Sequence, residues 1–211
     1  MTIENPLIQI PMTKTTRYIA ILALLCTCFL FYGCAGDEAE TRGDASDFYF
    51  RFKLDGEQHD YPILKGQTNL TGSSAFDEGT DKYVINISGI KDLRAPGKNT
   101  VSIFVSDSEG FPTGINFSNF PDEGDDYPDF LFNMAYYDSE GNIYLTGGQG
   151  DLDIYTEIYE PGFVKFHEIT DTYISGAFSG TLIDYETSSG TNVFMGSAEI
   201  TDGEFKVKRA K

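Results

Sequence analysis

Apolar and polar residues alternate along most of the chain after residue 47, and this alternation restricts the fold more than any other feature of the sequence. The first such segment has an apolar side chain at every second position: Phe48, Phe50, Phe52 and Leu54. Successive side chains of a β-strand point to opposite faces, so this pattern predicts a strand with one buried and one exposed face. No segment has the 3.6-residue apolar period of an amphipathic helix over three turns.

The same pattern recurs further along the chain and predicts further strands. The segments are 83–90, 100–105, 130–137, 143–146, 152–159, 163–170, 173–183, 192–200 and 204–208. Turn-forming sequences separate them: Asp55-Gly56, residues 138–142, Pro161-Gly162, Ser189-Gly190 and Asp202-Gly203. Glycine supplies the positive φ that tight turns need, and Asp or Asn adds a local hydrogen bond.

About ten short strands predict an all-β fold, a single antiparallel β-sandwich or barrel-like domain over residues 48–211. We expect its core to include the apolar residues on the inward faces of these strands. They are Phe50, Phe52, Ile85, Ile87, Ile103, Phe178, Leu182 and Phe205.

The charge of the chain excludes one class of partner. The sequence has 15 Lys and Arg against 33 Asp and Glu, which gives a formal net charge of −18. An acidic surface repels nucleic-acid phosphates and anionic lipid headgroups. We therefore expect no nucleic-acid partner and no electrostatic binding to membranes.

The N-terminal segment has the organisation of a secretory leader. Lys14 and Arg17 precede an apolar run over residues 19–32, and the basic stretch that begins at Met12 makes Met12 the expected start of translation. As a helix at ~1.5 Å per residue, the run would span roughly 21 Å, less than the ~30 Å hydrocarbon core of a bilayer. The segment predicts a cleaved signal peptide over residues 1–33.

The cysteines suggest what happens at the end of this leader. Gly33 precedes Cys34, and a small residue before a cysteine at this place resembles a bacterial lipobox, in which the cysteine is acylated after cleavage. The resemblance implies lipidation of Cys34, with Cys28 as an alternative and an ordinary leader with an incidental cysteine as another. Because Cys26 is the only other cysteine, none follows Cys34 to form a disulfide in the mature chain.

Residues 34–47 are polar and acidic, which predicts a tether that does not pack. Asp37 and Glu38 resemble the signal that directs Bacteroidota lipoproteins to the outer face of the outer membrane. The resemblance implies a lipid-anchored protein of the outer membrane, at the cell surface, whose only membrane contact is the N-terminal lipid. The periplasmic face and an ordinary acidic linker remain alternatives.

The two ends of the domain carry a further resemblance. Residues 173–182 read YISGAFSGTL, residues 198–207 read AEITDGEFKV, and residues 50–57 read FRFKLDGE. Together they resemble a signature of uncharacterised Bacteroidota surface lipoproteins with an all-β domain. The resemblance implies a fold and a location in the cell envelope, but no reaction.

No pattern identifies catalytic residues. His59 and His167 are each followed by an acid, which a regular strand would place on the opposite face, so neither pair predicts a catalytic dyad. The sequence contains no HExxH, CxxC or G-x-S-x-G motif of zinc or serine enzymes. The sequence therefore favours a non-catalytic protein, although its many carboxylates leave a carboxylate-based hydrolase open.

One acidic loop is a candidate calcium site. Its carboxylates are Asp122, Glu123, Asp125, Asp126 and Asp129. Calcium binds six to eight oxygens, and dense loop carboxylates supply them. The loop lacks the spacing of an EF-hand, and a solvated acidic loop is the alternative. The sequence implies no other cofactor.

The predicted strand at 152–159 gives a candidate ligand face. Its exposed side would carry Asp151, Asp153, Tyr155, Glu157 and Tyr159. Tyrosine rings can stack on sugars while neighbouring carboxylates accept hydroxyl hydrogen bonds. A solvated sheet edge is the alternative, and the absence of Trp weakens the case for a glycan.

These features favour a non-catalytic cell-envelope lipoprotein that binds a glycan or another extracellular ligand. The alternative is an assembly or adhesion subunit whose sheet edges pair with another protein. The cations of the last strand argue against edge pairing: Lys206, Lys208, Arg209 and Lys211.

Overall fold

The computed structural model describes residues 47–64, 66, 68–119, 131–146, 161–188 and 191–210. These residues form strands and no helix, which confirms the predicted all-β fold. The strands are β1 (Tyr49–Leu54), β2 (Glu57–Tyr61), β3 (Leu70–Asp77), β4 (Lys82–Ile90), β5 (Thr100–Asp107), β6 (Asn116–Ser118), β7 (Leu131–Tyr137), β8 (Ile143–Leu145), β9 (Gly162–Ile169), β10 (Tyr173–Ser188) and β11 (Thr191–Arg209). Within these ranges, nothing helical has the length and apolar character needed to traverse a bilayer.

The strands pair in two runs that are joined at both ends. Six strands pair in the order β2-β1-β11-β10-β9-β6, and five pair in the order β3-β4-β5-β7-β8. The end of β11 pairs with β3 at Lys208 and Arg209, the one parallel pairing among the described strands, and β10 pairs with β8 at Ile183. The pairings therefore close a ring through the two longest strands, β10 and β11.

The core lies between the two runs, and all eight core residues predicted from the sequence are buried. Rings from β1, β10 and β11 meet at its centre, where the centroid of Phe50 lies 5.2 Å from that of Phe178 and 6.2 Å from that of Phe205. Gly89 of β4 faces the same ring, and a Cβ at Gly89 would lie 2.6 Å from Cγ of Phe50. The six-stranded run can thus approach the five-stranded run because β4 has no side chain at this point.

The prediction of a turn at Asp202-Gly203 is wrong, because these residues form a β-bulge inside β11. Phe178 of β10 pairs with Gly203 of β11, and Gly180, two residues later in β10, pairs with Ile200, three residues earlier in β11. β11 therefore has one extra residue at this point, where Asp202 has a φ of +51°. Buried positions in β11 are even-numbered before the bulge, at residues 198 and 200, and odd-numbered after it, at residues 203, 205 and 207. The extra residue reverses which side chains face inward and lets the strand continue.

Two turns predicted from the sequence are confirmed. Asp55 and Gly56 have φ values of +50° and +84° and connect β1 to β2 as a two-residue hairpin. Between β7 and β8, Oδ1 of Asp138 accepts hydrogen bonds from the backbone N–H groups of residues 140–142. The predicted turn at Ser189-Gly190 and the predicted strand at 152–159 lie outside the described residues.

Three strands, β2, β3 and β6, have no counterpart in the sequence prediction. The inward positions of β3 include Gly72, which leaves room for the side chains of Ile87 and Val207, so its apolar period is interrupted. In β2, Tyr61 is the one buried residue, and β6 has three residues in all. Short or glycine-containing strands carry too few apolar residues to be recognised by period alone.

The cationic last strand is not an exposed sheet edge, contrary to the prediction. From Ile200 onward, both sides of β11 are paired, with β10 on one side and β1 and then β3 on the other. The guanidinium of Arg209 donates hydrogen bonds to the backbone oxygens of Thr170 and Ser74 and so joins the end of β11 to its surroundings. Among the described strands, β2 and β6 end the six-stranded run.

Truncation of Phe178 to Ala should lower the free energy of unfolding by about 3–5 kcal/mol, because its buried ring contacts the rings of Phe50, Phe52 and Phe205. Urea denaturation measures this change. Phe194→Ala is the matched control, since that ring is 50% exposed and its loss should change stability by about 0.5 kcal/mol or less. Equal losses in the two variants would contradict the placement of the core.

One buried group gives a second prediction. The hydroxyl of Tyr61 is buried and has no hydrogen-bond partner among the described residues, and burial raises the pKa of this phenol far above its usual value. The folded state therefore keeps this proton at a pH where the unfolded state has lost it, so stability should fall as pH rises above about 10.

Tyr61→Phe removes both the unpaired hydroxyl and its titration. We expect the variant to be more stable by about 1 kcal/mol at neutral pH and to lose less stability at alkaline pH. Urea denaturation at pH 8 and pH 11 tests this, with the exposed Tyr83→Phe as the control. An unchanged alkaline loss in Tyr61→Phe would show that this phenol does not stay protonated in the fold.

Candidate functional site

The candidate site residues chosen from the sequence lie outside the described residues. This holds for Cys34, for the calcium-loop carboxylates at residues 122–129 and for the ligand face at residues 151–159. Lipidation, calcium binding and a ligand face at 151–159 therefore stay predictions. In the part of the chain that the structure describes, no three His, Cys, Asp or Glu residues are grouped closely enough to hold a metal ion.

The described part has another polar surface, the outward face of the run β2-β1-β11-β10-β9-β6, called the outer face below. Backbone register aligns its side chains in rows that cross the strands. The middle row is Asp60, Arg51, Glu204, Ala177, Lys165 and Asn116. A second row begins at Tyr49, the first residue of β1, and consists of Tyr49, Lys206, Ser175 and Glu168. Each row thus carries charged or aromatic groups on both sides of a small residue from β10.

Small residues of β10 form the floor of an open groove along the outer face, called the trough below. The floor residues are Ser175, Ala177 and Ser179. Longer side chains flank the floor on both sides. β11 contributes Asp202, Glu204 and Lys206, and β9 contributes Phe163, Lys165 and Glu168. Two depressions of about 920 and 670 Å³ lie along it. The trough exists because β10 carries no large side chain on this face between residues 175 and 179.

Ion pairs between β1 and β11 form one wall of the trough. Nε of Arg51 lies 2.9 Å from Oε2 of Glu204, and Nζ of Lys53 lies 2.8 Å from Oδ2 of Asp202. The hydrogen bond that Arg51 donates to the Glu204 carboxylate raises the pKa of the guanidinium above its ordinary value. These contacts fix the direction of four long side chains across the strand pair.

The end of the trough near Tyr49 contains a second set of contacts. The hydroxyl of Tyr173 donates a hydrogen bond to the carboxylate of Glu168, and this bond raises the pKa of the Tyr173 phenol. Nζ of Lys206 lies 4.5 Å from the centre of the Tyr173 ring, a cation–π geometry. The tyrosine therefore positions a carboxylate and an ammonium group beside the floor.

The expectation that His167 and Glu168 point to opposite faces is wrong. Ser175 pairs with Glu168 and the next residue, Gly176, pairs with Phe166, so β9 has an extra residue at His167. Both His167 and Glu168 are exposed as a result and both lie at the second depression. His59 differs, because its ring stacks on Phe52 at 5.2 Å while Asp60 faces outward.

Sequence reasoning missed the trough, although a signal for it was present. In the motif ISGAFSGTL, the core residues expected from the sequence, Phe178 and Leu182, lie on the inward face. The outward positions of the same strand, Ser175, Ala177 and Ser179, are all small, which is unusual beside strands that carry Lys, Arg and Glu at those rows. The trough can be recognised only when it is known that β9 and β11 are the strands that pair with β10.

Comparison with protein-family models, curated proteins and solved structures finds no match to the chain. The chemistry of the trough is therefore argued from its own groups. Hydroxyl, ammonium, carboxylate and aromatic groups line it, and the paired strands hold them in place. Such an open surface is suited to reversible binding of a polar ligand.

The outer face should contribute little to folding. Arg51 and Glu204 are both exposed, and exposed ion pairs contribute about 0–1 kcal/mol. A double-mutant cycle of Arg51→Ala and Glu204→Ala, measured by urea denaturation, should give a coupling energy below about 1 kcal/mol. A coupling of several kcal/mol would mean that the charged rows serve stability rather than binding.

Proposed function

We propose that the protein is a non-catalytic lipoprotein of the cell envelope, anchored in the outer membrane through an acylated Cys34, that binds a glycan or another polar extracellular ligand in the trough. The observation that carries the binding role is the row of small β10 residues between two walls of charged and aromatic side chains. Rigid strands beneath such groups keep them in a fixed arrangement without a folding cost on binding.

The geometry at the start of β1 supports this arrangement. Tyr49 follows Cys34 by 15 residues, a length that spans at most roughly 50 Å when extended. Tyr49 pairs with Lys206, so the tether meets the domain at one end of the trough.

The anchor is tested by intact-mass measurement and detergent partition of the full chain expressed in a bacterium with lipoprotein processing. The mature protein should begin at an acylated Cys34 and enter the detergent phase. Cys34→Ala should remain uncut or leave the membrane fraction, whereas Cys28→Ala should behave as the parent does. An unmodified N-terminus at another residue would end the proposal of a lipid anchor.

The ligand role is tested by applying the full chain in detergent to an array of neutral and anionic glycans. We expect binding to a subset of glycans, weakened at least about tenfold by Ala177→Tyr, because this ring fills the floor between Lys165 and Glu204. Ser88→Tyr, a matched change in β4 of the other run, should have no effect. Absence of any glycan binding, or equal binding by Ala177→Tyr, would contradict the proposed role.

A further inference from the structure

We infer that one end of the core binds a small organic cation with a quaternary ammonium group. The site, called the mouth below, consists of two tyrosines and three aspartates: Tyr136, Tyr144, Asp55, Asp138 and Asp184. It lies on the inner side of β7, β8 and β10, next to the turns that connect β1 to β2 and β7 to β8. The trough lies on the outer face, so the mouth is a separate site and does not depend on the function proposed for the trough.

Backbone register brings the tyrosines and one aspartate together across three strands. Tyr136 of β7 pairs with Tyr144 of β8, and their ring centroids lie 6.1 Å apart. Leu145 of β8 pairs with Ile183 of β10 in antiparallel register, so Tyr144 and Asp184, one step away, also face each other. The ring of Tyr144 packs against the core, which places both residues on the inner side.

The β1–β2 hairpin forms the opposite wall of the mouth. The centroid of the Phe52 ring lies 6.4 Å from that of Tyr136, and the ring of His59 stacks on Phe52 at 5.2 Å. Asp55 lies in the hairpin turn, and its charge acts on the phenol of Tyr136. His59 and Tyr144 are half-buried, so aromatic rings line the mouth where it meets solvent.

The charges that act on the two tyrosines are negative. Burial, with the carboxylates of Asp138 and Asp55, raises the pKa of the Tyr136 phenol. Burial likewise raises the pKa of the Tyr144 phenol, together with the same two carboxylates and that of Asp184. Asp184 has neither a hydrogen bond nor an ion pair with the residues that the structure describes. Negative charge without a counterion beside aromatic rings indicates a cationic ligand.

The arrangement of the carboxylates favours an organic cation over a metal ion. They belong to no group of acidic, histidine or cysteine residues that is close enough to hold a metal, within the ranges that the structure describes. Both oxygens of Asp138 accept hydrogen bonds in the β7–β8 turn, and Oδ1 of Asp55 accepts one from the backbone N–H of Glu199. Calcium would need such oxygens as direct ligands. A quaternary ammonium group has no N–H to donate and needs only nearby negative charge and aromatic faces.

Gly196 keeps the mouth open on the β11 side. Gly196 pairs with Asp184, so a side chain at Gly196 would extend toward the same face as the carboxylate of Asp184. A Cβ at this position would have no described atom within 4 Å. No side chain of β11 therefore closes the space beside this carboxylate.

The buried hydroxyl of Tyr61 gives an independent sign of a ligand. Tyr61 is 4% exposed, and its hydroxyl has no hydrogen-bond partner among the described residues. Its ring contacts that of Phe52 at 5.3 Å, and the phenol of Tyr136 acts on its hydroxyl, so this group lies at the inner limit of the mouth. Nearly all buried polar groups in proteins are hydrogen-bonded. A hydroxyl on the bound cation would supply the missing partner.

The experiment measures binding of choline to the full chain in a maltoside detergent by isothermal titration calorimetry. The neutral analogue of choline, in which carbon replaces nitrogen, keeps the shape and the hydroxyl without the charge. Tetramethylammonium keeps the charge without the hydroxyl. We expect choline to bind at least about tenfold more tightly than the neutral analogue and about threefold more tightly than tetramethylammonium.

Phosphocholine distinguishes two sources of the ammonium group. Weaker binding of phosphocholine than of choline would support a free cation as the ligand, because the phosphate is repelled by the carboxylates of the mouth. Tighter binding of phosphocholine would support the same ammonium site with a phospholipid headgroup as the source.

Variants assign the binding to the mouth. Asp184→Asn should weaken choline binding about tenfold, whereas Asp81→Asn, the same change in the β3–β4 turn, should leave it unchanged. Tyr144→Leu should weaken binding about threefold or more, and Tyr144→Phe should retain it because the aromatic face is kept. Tyr61→Phe should reduce choline binding to the level of tetramethylammonium. Thermal melting of each variant checks that the fold is intact.

The outcomes separate this inference from the proposed function. Equal binding of choline and its neutral analogue, or binding of neither, would overturn the inference. Equal weakening by Asp81→Asn and Asp184→Asn would also overturn it, because it would reflect general attraction to an acidic protein. A preference for choline over tetramethylammonium that persists in Tyr61→Phe would overturn the contact assigned to Tyr61. Ala177→Tyr, which fills the trough, should leave choline binding unchanged, so the failure of one site does not imply the failure of the other.

Discussion

The extra residue in β11 at Asp202-Gly203 is the constraint on which the rest of the domain depends. It allows one strand to place Ala198 and Ile200 in the core before the bulge and Phe205 and Val207 in the core after it. Without it, the alternation of a regular strand would turn Glu204 and Lys206 inward against the aromatic cluster. Unpaired charges in that environment cost far more than the fold of a domain this size can offset.

The bulge also determines which charged side chains of β11 lie on the outer face. Gly203 is required where it stands, because a Cβ there would lie 2.4 Å from the backbone oxygen of Phe178. With Gly203 inward, Asp202 and Glu204 both reach the outside and pair with Lys53 and Arg51 of β1. The wall of the trough therefore follows from the same local feature as the buried half of the strand. A second extra residue, at His167 in β9, brings Glu168 to the opposite wall in the same way.

The sequence predicts the buried side of this fold better than its exposed side. Period-two alternation identified every core residue that was named, because burial of apolar groups acts position by position along a strand. The change of parity between Ile200 and Phe205 is visible in AEITDGEFKV, but Asp-Gly is also a common hairpin sequence, so the sequence predicts a turn at this point. The trough could not be predicted from one strand, since it arises where the small residues of β10 lie between the long side chains of two neighbours.

Deletion of Asp202 tests the account most directly, because it removes the extra residue and leaves the composition of the strand otherwise unchanged. The free energy of unfolding from urea denaturation should fall by about 3 kcal/mol or more, since the residues after the deletion exchange faces. Asp202→Gly should remain within about 1 kcal/mol of the parent, because glycine accepts the positive φ and only an exposed ion pair is lost. A deletion variant as stable as Asp202→Gly would contradict the role assigned to the bulge.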